Sequence, residues 1–273
     1  MKKLVALLVM TAVVSVSAVS FAAAPADTLA AVKQKGVLVG GVKDSTPPFG
    51  YVDEKTRQLT GYDIDFLAAI AKKLGVKLEL KPVVSSTRMP MLQEGNIDII
   101  AATMTKNAER AKVIDFSHMY FMTYQRFLIK KGTVKSLKDL EGKKIGTAKG
   151  STSEQNVKKA IPSATVLSFD DYPQAFLALQ QGKVQAVTTD DHILLGLKSK
   201  APNKDQFEVT ELQIADEPYG LGMRKGDTNF VNFVNKTILE MEKNGEAAKI
   251  FDKWFGPKSN FHQKRNFKIT ADK

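Results

Sequence analysis

The sequence predicts an α/β fold built as two similar lobes, and three features predict it. Leu92-Gln93-Glu94-Gly95-Asn96-Ile97-Asp98-Ile99-Ile100-Ala101 ends a helix, turns at glycine and enters an apolar strand; Leu179-Gln180-Gln181-Gly182-Lys183-Val184-Gln185-Ala186-Val187 repeats that transition. Strand-like and helix-like segments alternate in two separate runs, the pattern of a wound parallel sheet. Stretches near 125–130 and 217–223 read as a pair of antiparallel hinge strands crossing between the lobes, which makes the first lobe discontinuous in sequence. Leu-Gln-x-Gly is also a common helix stop, so coincidence is the plain alternative for the near-repeat.

The elements follow in order. Val37–Gly40 is a short β run ending in glycines, with Pro47, Pro48 and Phe49 in the loop after it. Gly61-Tyr62-Asp63-Ile64-Asp65 opens a helix whose apolar face is Phe66, Leu67, Ile70, Ala71 and Leu74, stopped by Gly75. Val76–Val84 alternates as a strand does, a helix spans about 86–93, and Ile97–Ala101 is the next strand. Residues 113–130 are apolar, aromatic-rich and extended. The pattern restarts near Leu137: a helical turn, Gly142, a strand at Ile145, a helix from Ser151, a strand at 165–168, a helix at 172–181 and a strand at 184–188. Helices at about 229–244 and 245–255 close the chain. The expected division is a leader at 1–24, a first lobe at 25–126 with 221–273, and a second lobe at 127–220.

Composition supports this reading. Apolar residues at 43% and charged residues at 25% of 273 suit a globular chain with a full core. The absence of cysteine excludes disulfides, thiolate metal sites, a cysteine nucleophile and a lipid anchor on an N-terminal cysteine. Lys2, Lys3 and the short apolar run Leu4–Val14 read as a secretory leader, with cleavage expected near residues 22–24 before Pro25; an uncleaved anchor is the alternative. The net charge is +11, but the lysines are scattered without aromatic interleaving, so no nucleic-acid partner is expected.

Ligands of open α/β sheets sit beyond the carboxyl ends of the strands, and the two lobes differ in charge there. In the first lobe Thr103, Thr105 and Arg110 form an oxyanion-shaped seat, since a guanidinium can hold a carboxylate by two parallel bonds; pairing of Arg110 with Glu109 or Asp115 is the alternative. In the second, Asp190 or Asp191 can take an ammonium, and strand alternation says only that they point opposite ways. A cation facing an anion suits a zwitterion. Ser151 and Glu154 fit a capping box, with Ser151 and Thr152 also placed for an anion at that helix start. Lys43, Ser85 and Arg88 rim the same sheet edge, where extra cations suit a second carboxylate; Lys43 on a solvated surface is the alternative. The inventory for an enzyme is thin: three histidines, His118, His192 and His262, have no metal-ligand spacing, and no nucleophile-elbow, Walker or dinucleotide fingerprint occurs.

Several motifs together resemble the periplasmic solute-binding proteins of ABC importers, in the polar amino acid group. They are Pro48-Phe49-Gly50-Tyr51, Gly61-Tyr62-Asp63-Ile64-Asp65, Gly95 through Arg110 with Asp115-Phe116-Ser117, Gly150-Ser151-Thr152-Ser153-Glu154, Thr189-Asp190, Glu217-Pro218-Tyr219-Gly220 and Phe251-Asp252-Lys253-Trp254-Phe255. The resemblance covers about 28–256 and implies a Venus-flytrap fold of two lobes. It implies that Arg110, Thr105 and Thr152 hold an α-carboxylate and Asp190 an α-ammonium. Within the family the chain looks most like glutamate/aspartate binders, which implies Lys43, Arg88 and Ser85 around a side-chain carboxylate. It departs from them with lysine at 43, where arginine is expected, and Tyr172 where a histidine can stand, which leaves glutamine open. The expected partners are a small amino acid and a membrane permease. The expected protein is a periplasmic monomer without cofactor. The rival reading is a cyclohexadienyl dehydratase on the same scaffold, with Glu154 recruited as general acid.

Overall fold

The computed structural model describes residues 27–259 and 261–272. The expected leader at 1–24 lies outside the described residues. The chain begins with α1 (Thr28–Lys35) and β1 (Val37–Val42), followed by a small sheet of β2 (Ser45–Thr46), β3 (Gly50–Val52) and β4 (Leu59–Thr60). Next come α2 (Tyr62–Leu74), β5 (Lys77–Pro82), α3 (Arg88–Gln93), β6 (Ile99–Ala101), α4 (Ala108–Ala111) and β7 (Ile114–Phe116). β8 (Phe121–Lys130) opens the second lobe, with β9 (Lys144–Ala148), α5 (Thr152–Ala160), β10 (Thr165–Phe169) and α6 (Tyr172–Gln180). β11 (Ala186–Asp190), α7 (Asp191–Lys200) and β12 (Phe207–Val209) complete that lobe. β13 (Ala215–Tyr219) and β14 (Gly222–Arg224) return the chain, and α8 (Thr228–Lys243) and α9 (Glu246–Phe255) close it.

The fold is the two-lobed α/β architecture expected. The first lobe has the strand order β5-β1-β6-β14-β7, and the second β10-β9-β11-β8-β12, with β13 also on β8. β1 runs parallel to β5 and β6, and β9 parallel to β10 and β11, so the carboxyl ends of both parallel sets are aligned within each lobe. The two near-repeats behave alike: α3 and α6 each end at a glycine in the left-handed region, Gly95 at φ 77° and Gly182 at φ 73°. That conformation costs glycine little, so each helix reverses tightly into its strand.

The first crossing sits earlier than the sequence suggested, and the return crosses within the expected 217–223. The chain leaves the first sheet after Phe116 and enters the second at Phe121, ahead of the expected 125–130. Residues 125–129 instead pair with β11 inside the second lobe. The return is two strands, not one: β13 pairs Tyr219 with Phe121, whereas β14 pairs Gly222 with Phe116. The break at Gly220-Leu221 changes the pairing partner from one lobe to the other.

An aromatic cluster fills the junction. Phe121, fully buried on the first crossing, has ring centroids of Phe49 at 5.0 Å, Tyr62 at 5.1 Å, Phe255 at 5.1 Å and Phe267 at 5.2 Å. His192 of α7 approaches the same ring at 4.9 Å, so the cluster draws on both lobes. The segment after α9 packs over it: Arg265 pairs with Glu242 and lies 4.8 Å from the Phe267 ring, and Ile269 is buried. Aromatic truncation in a packed core removes contacts that the neighbours recover only partly. Phe121→Ala is therefore expected to lower unfolding stability by roughly 3–5 kcal/mol, read from urea titration by circular dichroism; a loss under about 1 kcal/mol would show that the hub is not a core.

Candidate functional site

The carboxyl edges of the two sheets face one another, and most of the site residues read from the sequence converge there. Lys43 follows β1, Ser85 follows β5, Arg88 opens α3, Thr103 and Thr105 follow β6, and Arg110 lies in α4. From the second lobe come Ser151 and Thr152 at the start of α5, Tyr172 at the start of α6 and Asp190 at the end of β11. All ten are buried.

Three of them are cations in a closed space. Arg110 donates to Thr105 O at 2.9 Å and reaches across to Gly150 O at 3.4 Å. Burial first, and then the neighbouring Arg88, push its pKa down to about 9. Arg88 donates through Nη1 to the carbonyls of Ala102 and Thr103. Lys43 donates to Ser85 Oγ at 2.8 Å, and burial with Arg88 nearby holds its ammonium well below the usual lysine range. Desolvation disfavours each charged form, and the like charges reinforce it.

The opposing carboxyl groups are Asp190 and Glu217, and burial raises the pKa of both. Asp190 accepts the Tyr219 hydroxyl, and burial together with Glu217 raises its carboxyl well above the usual range. Asp191 turns away: its Oδ1 accepts from Thr123 Oγ1 at 2.6 Å and from the His192 N–H at 2.8 Å. That settles which aspartate faces the cleft. His192 is a buried junction residue held by Thr123 and Asp191.

Some predicted residues are present in supporting roles. Thr103 adopts φ 49°, a conformation unfavourable for a β-branched residue. In it the Thr103 N–H donates to Asp63 at 2.9 Å and the hydroxyl donates to Ala102 O at 2.8 Å. Asp63 also accepts the Tyr120 hydroxyl at 2.6 Å, and burial lifts its pKa to about 6. Ser151 caps α5 by accepting the Glu154 N–H at 3.2 Å, while Glu154 returns to the Gly150 N–H at 3.1 Å, one residue earlier than a standard capping box. Tyr172 has its phenol beside Thr189, Ser151 and Asp190, and burial raises its pKa.

Sequence reasoning missed Glu217, Tyr219 and Asn156. Glu217 accepts the hydroxyls of both Thr105 and Thr152, the latter at 2.8 Å, and the Asn156 amide at 2.9 Å. The signal was available: a strand crossing between lobes at 217–223 must line the cleft floor, and its period of two puts Glu217 and Tyr219 on one face.

The lobes touch through backbone. Pro47 O of the first lobe lies 2.0 Å from where a Cβ on Gly196 of α7 would stand. On the opposite rim a Cβ on Gly150, at φ 76°, would meet Ser86 Cα at 2.8 Å. Thr105 and Thr152 hydroxyls approach to 3.3 Å, and Lys200 pairs with Glu54 at 2.9 Å. A separate cavity of about 600 Å³ between Tyr51, α7 and Phe261 is lined by Lys200 but by none of the cleft residues.

Known proteins resemble this chain along most of its length. The family described as bacterial extracellular solute-binding proteins, family 3, matches residues 38–257. The ABC transporter glutamine-binding protein of Bacillus subtilis (strain 168) is 41% identical over 84% of this chain and 84% of its own. The glutamate/aspartate import solute-binding protein of Salmonella typhimurium is 34% identical over 92% of this chain and 87% of its own. A solved structure of an ancestral arginine-binding protein bound to glutamine has TM-score 0.77 and 44% identity, covering 81% of this chain and 98% of that one.

The glycine contacts yield a prediction. A methyl at 196 has no room against the Pro47 carbonyl, so Gly196→Ala is expected to hold the lobes apart without unfolding them. Small-angle scattering should then show a larger radius of gyration than wild type at equal melting temperature; an unchanged radius would mean that this contact does not limit closure.

Proposed function

The chain belongs to the bacterial extracellular solute-binding proteins of family 3, and from that membership we propose a periplasmic, monomeric receptor that captures glutamine for an ABC permease. The observation that carries the ligand class is Arg110 facing Asp190 across the interlobe cleft, a pair matched to the carboxylate and ammonium of an α-amino acid. Asp190 and Thr152 stand on the second lobe and Arg110 and Thr105 on the first, so one ligand can engage all four only when the lobes are closed. Differential contacts of that kind are what shift an open–closed equilibrium.

Glutamine rather than glutamate fits the far end of the cleft. Lys43 is held toward its neutral form and donates to Ser85, and Arg88 Nη1 is committed to two main-chain carbonyls. An ammonium pushed toward neutrality and an occupied guanidinium reward a carboxamide more than a second carboxylate. The relative from Bacillus subtilis is named for glutamine, in keeping with this. A second reading, an acidic amino acid, has one observation in its favour: Arg88 Nε is buried without a hydrogen-bond partner. The dehydratase alternative is weakened by Glu154, which holds the Gly150 N–H, Lys158 at 3.0 Å and Ser168 at 2.9 Å in place of a substrate proton.

Calorimetric titration of unfolded, dialysed and refolded protein with glutamine, glutamate, aspartate and arginine in parallel tests the reading. Glutamine is expected to bind tightest, with a dissociation constant on the order of micromolar, near −8 kcal/mol. Arg110→Ala should weaken it at least ~100-fold, the loss of a bidentate charge-assisted contact. Arg88→Ala separates the two ligand readings: comparable losses for glutamine and glutamate mark it as wall support, while selective loss of glutamate and aspartate favours the acidic reading.

A further inference from the structure

Glu217 stands on β13, the strand that returns the chain between lobes, and is fully buried. Its Oε2 accepts the hydroxyl of Thr105 from the first lobe and that of Thr152 from the second at 2.8 Å; its Oε1 accepts the Asn156 amide at 2.9 Å. Donors converge on both oxygens, the arrangement of an acceptor-only carboxylate, and these donors with Arg110 and Arg88 oppose the rise in pKa that burial causes. The charged groups facing it are Asp190 at the end of β11, Arg110 in α4 and Arg88 in α3. The two arginines therefore meet two carboxylates before any ligand arrives. Lys43 adds little to the positive side, because burial drives it toward neutrality. Asp63 sits behind this group with its own donors, Tyr120 and the Thr103 N–H.

We infer that Glu217 is a specificity-determining residue of this cleft: its fixed charge, beside Asp190, matches Arg88 and Arg110, so the cleft takes an amino acid with an uncharged side chain and rejects the same skeleton carrying a side-chain carboxylate. The inference rests on the amino acid reading of the cleft and deepens it. Without Glu217 the cleft would lose one carboxylate from beside Arg110 and Arg88, and a dicarboxylic ligand would bring one back. The carboxylate also holds Thr105 and Thr152 together across the lobes. Its removal should therefore weaken every ligand somewhat, and what separates the charge role from a bracing role is the ratio between ligands.

The test is calorimetry of wild type and Glu217→Gln with glutamine and glutamate at neutral pH. The amide keeps the size of the side chain and one acceptor oxygen. The preference for glutamine over glutamate is expected to shrink by at least about tenfold, since two unit charges several ångströms apart in a partly buried site interact with at least that effect. A folded variant with both ligands weakened equally would overturn the inference and leave Glu217 as a brace. Glu217→Asp, which keeps the charge, should keep the wild-type ratio, and a ratio that collapses in both variants also overturns it. Should Glu217→Gln fail to fold, wild type alone decides with glutamate γ-methyl ester, an uncharged side chain lacking the amide N–H. Binding within about tenfold of glutamine supports rejection by charge, and rejection like that of glutamate overturns it. Failure of the glutamine reading has a different signature: wild type would prefer glutamate, while a further shift toward glutamate in Glu217→Gln would still support the charge role.

Discussion

The cleft depends on keeping Arg88 and Arg110 charged, with Lys43 beside them, in one buried space. Bringing cations out of water is costly unless each meets an acceptor, and mutual repulsion adds to the cost. The chain answers with main-chain carbonyls at Ala102, Thr103, Thr105 and Gly150 and with the carboxylates of Asp190 and Glu217. Thr103 shows how tightly this is arranged. Its left-handed backbone directs the N–H to Asp63 while its carbonyl accepts Arg88, so local strain at one residue satisfies groups on two helices. Loosening any one of these partners would leave an uncompensated charge, not merely a lost contact.

The part of that arrangement that reaches the second lobe, Arg110 on Gly150 O and Asp190 opposite, exists only while the lobes are together, and the packing explains why they can be. The junction is an aromatic cluster on the two crossings, a rigid pivot rather than a slack linker. At the rims, where side chains would hold the lobes apart, Gly150 and Gly196 let main chain meet main chain. A few ångströms of separation there would move Arg110 from the Gly150 carbonyl and Thr105 from Thr152. The electrostatics of the site and the position of the lobes are therefore one equilibrium seen from two sides.

How much of this the sequence revealed depended on whether the information was local. The near-repeat at Leu92 and Leu179 was legible because each helix stop is a single glycine followed by an apolar strand, and both turned out alike. The placement of Lys43, Ser85, Arg88 and Arg110 along one sheet edge was legible because strand ends can be read, while the choice of Asp190 over Asp191 was not, since alternation says only that they point opposite ways. The small sheet β2–β4 was not, because its strands are two or three residues long and lie among prolines. The first crossing was misplaced by several residues because Phe121–Lys130 is one continuous strand whose two halves serve different partners, a fact about pairing that alternation does not contain. Glu217 was read only as part of a strand, since nothing near it in sequence shows that Thr105 and Thr152 converge on its carboxylate.

The same distinction bears on what similarity can say about the ligand. The strand ends, capping residues and rim glycines are backbone devices, indifferent to which amino acid the cleft holds. Preference for one side chain over another is a sum of charges from separate segments, several with pKa values displaced by burial. Changing one term of that sum, far from the others in sequence, can reverse the preference without touching the scaffold. Relatives at 41% and 34% identity named for glutamine and for glutamate or aspartate are what such a separation produces. Identity along the chain therefore reports the clamp, and the net charge assembled between its jaws reports what the clamp is for.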